Sequence, residues 1–398
     1  MTASDRPIEL SVVLPCLDEA ETLEICIRKA QDCFAANDVV GQVVVADNGS
    51  TDGSIEIAER LGARVVHVTA RGYGSALYHG TKAASGKYVI MADADDSYDL
   101  TGLMGFLEKL REGYDLVMGN RFAGGIAPGA MPTMNRYVGN PILSGIGRLF
   151  FRCPAKDFHC GMRGFAKTAF DQMDLRTTGM EYASEMVIKA TLAEMKICEV
   201  PTTLSPDGRS RNPHLRPWRD GWRHLRFMLL FSPRWLFLYP GLILMAVGLI
   251  LGTRLLISSV HFGDLELGIH TLIYCAGMVS VGFQLVSFAV LARVFATQAG
   301  LAPPSPRLEK LFRFVTLESS LLVGGLLVLG GLIGTVLSVQ VWWEQGFGAL
   351  QPGQITKCVI GAVVALMLGA QVIFNGFFLS LLGLGVRRRD HDGHPGDK

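Results

Sequence analysis

Four long apolar segments in the C-terminal part of the chain constrain its fold more than any other feature. They cover roughly residues 235–259, 268–292, 315–341 and 356–385. Each reaches the ~20 residues that an α-helix needs to cross a hydrocarbon core about 30 Å thick. Long buried helices of a soluble protein are the other interpretation, but four such segments in succession argue against it. We therefore predict an all-α transmembrane domain of four helices at residues 235–386, with a tail at 387–398.

The basic residues around these segments predict the orientation of the domain. They precede the first segment, fill the loop between the second and third, and follow the fourth, at Arg219, Arg223, Arg226, Arg234, Arg293, Arg307, Lys310, Arg313 and Arg387–Arg389. The other two loops carry mainly acidic residues, namely Asp264, Glu266 and Glu344. Basic loops stay on the cytoplasmic side. Residues 1–7 lack the apolar core of a signal peptide. We expect both termini and the N-terminal domain in the cytoplasm, at the plasma (inner) membrane.

The first 120 residues alternate between strand-like and helix-like patterns. Short apolar runs predict strands at 10–14, 42–46, 64–68, 87–92 and 115–119, and helical spacing predicts helices at 19–34, 54–61 and 75–84. This alternation is typical of an α/β domain with a mainly parallel, Rossmann-like sheet. Residues 121–205 are less regular and should close one side of that sheet. We place the domain at 1–205 and a basic amphipathic juxtamembrane segment at 206–234.

Asp93, Asp95 and Asp96 follow the predicted fourth strand and form a DxD pattern. An acidic loop or a helix cap is the alternative interpretation of such a short motif. However, side chains at the carboxyl ends of parallel strands line the crevice where α/β sheets bind ligands. Carboxylates suit Mg²⁺ or Mn²⁺, which bind few protein ligands and complete their shell with water and substrate phosphates. The turn with Gly72 and Gly74 can bring backbone N–H groups near a phosphate.

Charge and cysteine content exclude other classes of site. The chain has 37 basic and 36 acidic residues, so its net charge is +1, and we expect no nucleic-acid partner. Its eight cysteines form no CxxC pair. Reduced thiols are therefore expected, and structural zinc is not.

Several motifs together resemble those of a known family. The stretches VVLPCLDEAETL, DNGSTDGS, RGYGSALYHGTKAASG, MADADDSYD and GNRF look like glycosyltransferase family 2, with a GT-A fold, over residues 8–205. The remainder resembles the polyprenyl-phosphate glycosyltransferases, which include dolichol-phosphate mannose and glucose synthases. The resemblance implies inverting transfer of a hexose from a UDP- or GDP-linked sugar to undecaprenyl or dolichyl phosphate, for cell-envelope glycans or protein glycosylation. Some related enzymes are tetramers, so a homo-oligomer stays open.

The resemblance also implies roles for particular residues. The residues implied in nucleotide-sugar binding are Pro15, Leu17, Glu19, Asp47 and Asp93, in addition to the glycine turn at Gly72 and Gly74. Catalytic positions match Asp93, Asp95, Arg121, Arg136 and Arg163. Arg136 and Asn140 match positions that hold the acceptor phosphate. Asp95, Asp93 and Ser97 match positions of the metal ligands. Two of these depart from the family pattern, because Ser97 replaces a glutamine and Asn140 a serine. The identity of the sugar therefore stays open.

The chemistry of the acceptor agrees with this interpretation. A phosphate monoester has a second pKa near 6, so it is mostly a dianion at pH 7 and needs no general base. It does need cations, because two unit charges about 5 Å apart repel by roughly 3 kcal/mol at an effective dielectric of about 20. A metal ion and arginines can supply that compensation.

The juxtamembrane segment has its own pattern. Trp218, Trp222, Leu225 and Leu229 share one helical face and Arg219, Arg223 and Arg226 occupy another. A helix of this kind lies among lipid headgroups, although a basic flank that only sets topology is the alternative. Arg209, Arg211 and Arg216 extend the basic track, and we assign Arg209 to the acceptor phosphate.

Other functions remain as alternatives. A processive polysaccharide synthase would carry a Gln-x-x-Arg-Trp segment, but Phe231 stands where the glutamine should precede Arg234-Trp235. Transfer to a non-phosphate lipid would need a base, for which Asp157 and Glu181 are candidates; Asp157 could instead touch the sugar or orient an arginine. A transporter with a nucleotide sensor is disfavoured by the few ionisable residues in the spans. Within the spans, Gly248/Gly252 and Gly330/Gly334 have the spacing of close helix packing.

Overall fold

The computed structural model of the protein describes residues 6–210, 217–262, 265–298, 310, 314–348 and 353–383. The chain divides into two compact units, Met1–Phe231 and Ser232–Lys398. The division falls inside the predicted juxtamembrane segment, so the helix that carries the basic track belongs to the first unit. Arg211, Arg216 and the basic tail at 387–389 lie outside the described residues.

The first unit is built on a seven-stranded sheet with the order β3-β2-β1-β4-β6-β5-β7. The strands are β1 Leu10–Cys16, β2 Gly41–Asp47, β3 Arg64–His67, β4 Tyr88–Met91, β5 Leu116–Asn120, β6 Arg163–Ala166 and β7 Ile197–Pro201. All neighbouring pairs are parallel except the two made by β6, which runs antiparallel to β4 and β5. The predicted α/β class with a mainly parallel sheet is confirmed.

Helices cover both faces of this sheet. They are α1 Leu23–Ala36, α2 Ser54–Arg60, α3 Tyr73–Ala83, α4 Leu103–Arg111, α5 Arg121–Gly124, α6 Asn140–Phe151, α7 Lys167–Met173, α8 Tyr182–Leu192 and α9 Pro217–Phe231. Alternate residues of β1 point into two apolar cores, since Val12 and Leu14 pack with α1 and α4 while Val13 packs with α3 and α8. A strand buried on both faces reads as a continuous apolar run, which is why β1 was predictable.

Two strands are absent from the predicted set. β6 has only four residues and contains Arg163 and Gly164, and neither residue is typical of a buried strand. β7 borders the sheet and is only partly buried. The region from 121 to 205, predicted as irregular, therefore supplies two of the seven strands and completes the sheet.

Helix α9 differs from the two-faced helix predicted for this segment. His224, Phe227 and Met228 are buried, and the last two belong to the apolar core beneath the sheet. His224 also bonds through Nδ1 to the hydroxyl of Ser184 at 2.8 Å. The helix is thus anchored to the sheet domain by a third face, while Trp218 stays 84% exposed.

The second unit contains the four membrane spans. They run over Arg234–Ile257, Ile269–Gln298, Leu317–Glu344 and Ile355–Leu382, close to the predicted segments. The corresponding helices are α10 Tyr239–Ile257, preceded by a π-helical turn at Arg234–Leu238, α11 Ile269–Gln298, α12 Leu317–Glu344 and α13 Gln354–Gly383. A short hairpin, β8 Val260–Phe262 and β9 Leu265–Leu267, connects the first two spans and was not predicted.

Glycines bring these helices close together. A Cβ on Gly248 would lie 2.7 Å from the carbonyl oxygen of Cys275, so α10 and α11 pack backbone to backbone there, as predicted. In α12, however, the contact is made by Gly331, where a Cβ would lie 2.9 Å from the carbonyl oxygen of Ala362. Gly330, the residue predicted from the GxxxG spacing, faces open space, whereas Gly334 does approach Ala362.

Candidate active site

A crevice of about 630 Å³ opens at the carboxyl ends of β1, β2 and β4 in the first unit. The loop after β1 and the loop after β2 form one side, and α9 and the segment before α8 form another. Its described lining is Pro15, Cys16, Leu17, Glu19, Asn48, Gly49, Arg71, Gly72, Tyr73, Ala76, Asp93, Ala94, Asp95, Thr178, Gly179, Met180, Arg209, Arg219 and Arg223. Of the predicted site residues, the crevice brings together Pro15, Leu17, Glu19, Gly72, Asp93, Asp95 and Arg209.

The two DxD carboxylates lie side by side at the end of β4. The Asp95 carboxylate accepts a hydrogen bond from the backbone N–H of Ser97 at 3.1 Å, which fixes its orientation. Asp93 accepts one from the hydroxyl of Tyr73 at 3.0 Å. Burial, together with the adjacent Asp95 charge, raises the pKa of Asp93 to about 6. Two neighbouring carboxylates, of which Asp95 is buried and Asp93 half-buried, favour a cation beside them.

Arg209 compensates part of this negative charge. Its guanidinium donates to Asp95 Oδ2 at 2.8 Å and to Glu19 Oε1 at 3.0 Å, and it also lies 3.1 Å from Asp207. The segment around it is tied to the DxD loop, because the N–H of Gly208 donates to the carbonyl of Asp95. In this structure Arg209 therefore contacts the acidic residues of the crevice, and its assignment to the acceptor phosphate stays a prediction.

Arg121 is buried and does not belong to the crevice lining. Its guanidinium makes two hydrogen bonds of 2.8 Å to the Asp157 carboxylate, which is completely buried. Asp157 thus orients an arginine, one of the three roles considered for it. The positive charge of Arg121 still acts on Asp93, whose pKa it helps to lower against the larger effect of burial. Arg121 therefore affects the protonation of Asp93 through its charge and without direct contact with the crevice.

Arg163 does not face the crevice, contrary to the expectation from the sequence. Its side chain is 0% exposed on β6. It donates to the carbonyl oxygens of Cys160, Phe158 and Ala183. A guanidinium held by carbonyls in this way ties β6 to the loop before it and to α8. In the sequence, Arg163 is a basic residue in the short motif Gly-Met-Arg-Gly-Phe, and nothing in that motif indicates that its side chain is buried.

Arg136 and Asn140 also lie outside the crevice lining. Arg136 belongs to a π-helical turn at Asn135–Gly139, where it donates a 3.4 Å hydrogen bond to the carbonyl of Ile126 and lies over the ring of Tyr137. Asn140 begins α6 and contacts the sulfur of Met131. Neither residue of this predicted acceptor pair belongs to the lining of the crevice that contains the DxD carboxylates.

The loop after β2 and the turn before α3 are held in shape by hydrogen bonds of their own polar groups. Asp47 accepts hydrogen bonds from the N–H groups of Gly49 and Ser50, so it shapes the loop and is not itself part of the lining. The N–H of Gly72 donates to Asn48 Oδ1 at 2.7 Å, and this group is therefore not directed at a phosphate. A Cβ on Gly74 would lie 2.6 Å from the carbonyl oxygen of Thr177, so this glycine permits close packing and does not line the crevice.

Several lining residues were missed by the sequence analysis. Tyr73, Asn48 and Arg71 lie in recognised motifs, but only their glycine and aspartate neighbours were selected. Arg219 and Arg223 were assigned to a membrane-facing helix and instead reach the crevice. Their spacing of four residues, one helical turn, was the available signal.

The donor chemistry of the crevice fits a divalent cation held mainly by substrate. In the part of the chain that the structure describes, no group of three or more His, Cys, Asp or Glu side chains is arranged to hold a metal. Asp93 and Asp95 provide two carboxylates, whereas Ser97, two residues after Asp95, is buried and is not part of the crevice lining. Mg²⁺ sites that act on nucleotides need only one or two carboxylates, because phosphates and water complete the shell.

Comparison with known proteins identifies relatives over both units. Residues 11–174 match the family model described as glycosyl transferase family 2, and residues 290–383 match that of the glycosyltransferase family 2 C-terminal transmembrane region. Low-salt glycan biosynthesis hexosyltransferase Agl6 of Haloferax volcanii is 37% identical over 381 residues, which cover 96% of this chain and 90% of the relative. The dolichyl-phosphate hexose transferase of the same organism is 29% identical over 48% of this chain and 81% of its own length.

Among solved structures, glucosyl-3-phosphoglycerate synthase from Mycobacterium tuberculosis in complex with Mn²⁺, UDP and glucosyl-3-phosphoglycerate is 23% identical to this chain. The alignment covers 57% of this chain and 80% of the other, with a TM-score of 0.44, which is too low to transfer its ligands. The assignment rests on the family models and on the relative matched over nearly the whole length. This chain is a membrane-spanning member of glycosyltransferase family 2.

Proposed function

We propose that this enzyme transfers a hexose from a nucleoside-diphosphate sugar to the phosphate of a membrane polyprenol. The observation that carries the proposal is the composition of the crevice, where the DxD carboxylates and several arginines line one cavity in a chain with four membrane spans. The names of two relatives support it, since one is a hexosyltransferase of glycan biosynthesis and the other a dolichyl-phosphate hexose transferase.

The proposed reaction is a single displacement. An oxygen of the lipid phosphate forms a bond to C1 of the sugar while the bond from C1 to the nucleoside diphosphate breaks. The electron pair leaves with the diphosphate, and the configuration at C1 is inverted. The acceptor is a dianion at pH 7 and carries no proton to be removed. Glu19, a carboxylate of the described lining, bonds to Arg209 and is not required as a base.

Asp93 and Asp95 would hold a divalent metal against the donor diphosphate, with the Ser97 region beside them. When bound, Mg²⁺ or Mn²⁺ stabilises the charge that develops on the leaving diphosphate. The protein's own contribution is positional. The Asp157 carboxylate fixes the Arg121 guanidinium, whose charge acts on Asp93, and Tyr73 orients Asp93. Pro15, Leu17 and Asn48 form the wall available to the nucleotide base and ribose.

We also propose that both termini are cytoplasmic, as the distribution of basic residues predicts. Nucleotide sugars are cytosolic metabolites, so this orientation would give the crevice access to its donor. Cysteine substitution at the hairpin between the first two spans and at the N-terminal domain tests it. In intact cells a membrane-impermeant maleimide should add label at the hairpin cysteine and none at the N-terminal one, each relative to the parent protein, whose Cys358 is exposed.

Reconstitution tests the reaction directly. Purified full-length protein is incubated with Mn²⁺, a panel of UDP- and GDP-linked hexoses, and undecaprenyl or dolichyl phosphate. We expect one donor to yield a polyprenyl-phosphate hexose, with the anomeric configuration opposite to that of the donor by NMR. Parallel reactions contain the unphosphorylated polyprenol or diacylglycerol. Transfer to either of these lipids, or no glycolipid across the whole panel, would refute the proposal.

A further inference from the structure

Arg219 and Arg223 form a pair on one side of the catalytic crevice. They lie one turn apart on α9 and both line the cavity that contains Asp93 and Asp95. Arg71 lines the same cavity, whereas Arg209 is bonded to Glu19 and Asp95. The crevice therefore has a carboxylate side at the end of β4 and an arginine side on α9.

The arginine pair is carried by a fixed element. Helix α9 packs on the core through Phe227 and Met228, and His224 bonds to Ser184. The guanidinium of Arg223 lies 3.0 Å from the Glu181 carboxylate, which holds it beside the crevice. Arginines on a helix that is anchored by one buried face lose less conformational entropy when they bind an anion than arginines on a loop do.

The surface next to this pair is aromatic. Trp218 and Trp222 are 84% and 58% exposed and alternate along α9 with the two arginines. Tryptophan and arginine on adjoining stripes of one helix suit a ligand with a phosphate and a hydrocarbon chain. A nucleoside diphosphate has no chain, and its phosphates are expected at the metal between Asp93 and Asp95.

We propose that Arg219 and Arg223 bind the phosphate monoester of the lipid acceptor, while the exposed tryptophans contact its first prenyl units. This assignment rests on the proposed transfer to a lipid phosphate. It moves the acceptor site from Arg136 and Asn140, which lie outside the crevice lining, to α9. Both guanidinium groups offer hydrogen-bond donors to the dianionic phosphate on the arginine side of the crevice, and Arg223 does so beside the Glu181 carboxylate with which it is paired.

The test compares three glutamine variants of the full-length protein. Arg219→Gln and Arg223→Gln remove a lining cation each. Arg226→Gln is the matched control, since Arg226 lies on the same helix, is exposed and does not line the crevice. Binding of farnesyl phosphate is measured by microscale thermophoresis, with farnesol as the phosphate-free comparison. Binding of UDP and of GDP, each with Mn²⁺, is measured by calorimetry.

We expect each lining variant to weaken farnesyl phosphate binding at least about tenfold, as the loss of a charge-assisted hydrogen bond does. Arg226→Gln should change it by less than about twofold, because exposed charges contribute little. Nucleotide binding should persist in all variants, which also shows that they fold.

Equal weakening in all three variants would assign the effect to general attraction and overturn the proposal. Loss of nucleotide binding with intact farnesyl phosphate binding would assign the pair to the donor and also overturn it. The wild type must bind farnesyl phosphate more tightly than farnesol. If it does so through Arg219 and Arg223 but forms no glycolipid with any donor, the phosphate site stands and the proposed reaction fails.

Discussion

The guanidinium of Arg209 lies 2.8 Å from the Asp95 carboxylate, where a metal ion would otherwise be held. Arg209 and the metal should therefore compete for Asp95. In the absence of nucleotide, we expect Arg209→Gln to bind Mn²⁺ several-fold more tightly than the wild type. The reason is that Asp95 no longer has to give up its ion pair with Arg209 before it binds the metal. Electron paramagnetic resonance titration of free Mn²⁺ measures this. Arg28→Gln, which breaks an exposed pair with Glu24, is the control and should leave the affinity unchanged.

The Arg121–Asp157 pair makes a prediction about stability. Asp157→Ala leaves the buried guanidinium unpaired, which should lower the free energy of unfolding by about 3–5 kcal/mol. The double variant Arg121→Met with Asp157→Leu replaces the pair by apolar side chains and should recover most of the loss, but not transferase activity. Thermal unfolding of the detergent-solubilised protein reports the first effect. A loss below about 1 kcal/mol in the single variant would show that the pair is not a structural anchor.

His159 should make the sheet domain sensitive to acid. Both ring nitrogens are buried without a hydrogen-bond partner. Burial, reinforced by nearby His224, Arg163 and Arg121, lowers its pKa well below 6.5. The unfolded chain then binds a proton that the folded chain does not, so stability is present at high pH and declines as pH falls below about 6.5, by up to ~1.4 kcal/mol per unit.

Unfolding of the wild type and of His159→Phe between pH 5 and 8 checks this expectation. The variant should show a shallower decline, whereas His79→Gln, at an exposed position, should retain the wild-type slope. Parallel slopes in wild type and His159→Phe would refute it.

The packing of α12 on α13 provides a test inside the membrane. Gly331→Leu should disrupt the pair, because a Cβ there would lie 2.9 Å from the carbonyl oxygen of Ala362. Gly330→Leu should be tolerated, since no atom lies within 4 Å of its added Cβ. The two variants differ by one position and add identical volume. Yield of monodisperse protein after detergent extraction, measured by size-exclusion chromatography, should fall only for Gly331→Leu.

Much of the fold was predictable because burial on both sides leaves a simple trace in sequence. β1 and β4 read as continuous apolar runs, and the four spans exceed the length that a membrane requires. β6 left no such trace. Arg163 stabilises it by donating to carbonyls, and a buried arginine cannot be distinguished from an exposed one in sequence.

The candidate site was predictable where a residue's role follows from its position at the end of a strand. Asp93 and Asp95 follow β4 directly, so their meeting with the loop of Leu17 and Glu19 came from topology alone. The arginines were harder. Arg121, Arg136 and Arg163 carry the same charge in similar motifs, and only side-chain partners separate a buried pair, a surface turn and a carbonyl-bound anchor.

The antiparallel position of β6 also fixes an order of assembly during synthesis. β1 to β4 use only residues up to Met91 and can pair as soon as they leave the ribosome. One edge of β4 stays unpaired until Arg163–Ala166, the residues of β6, have been synthesised. β5 also has no paired strand before that point. At roughly 5–20 residues per second, this edge is unpaired for seconds. The nascent protein is therefore most exposed to mispairing before its first membrane span has been made, and chaperones that bind sheet edges would act in that interval.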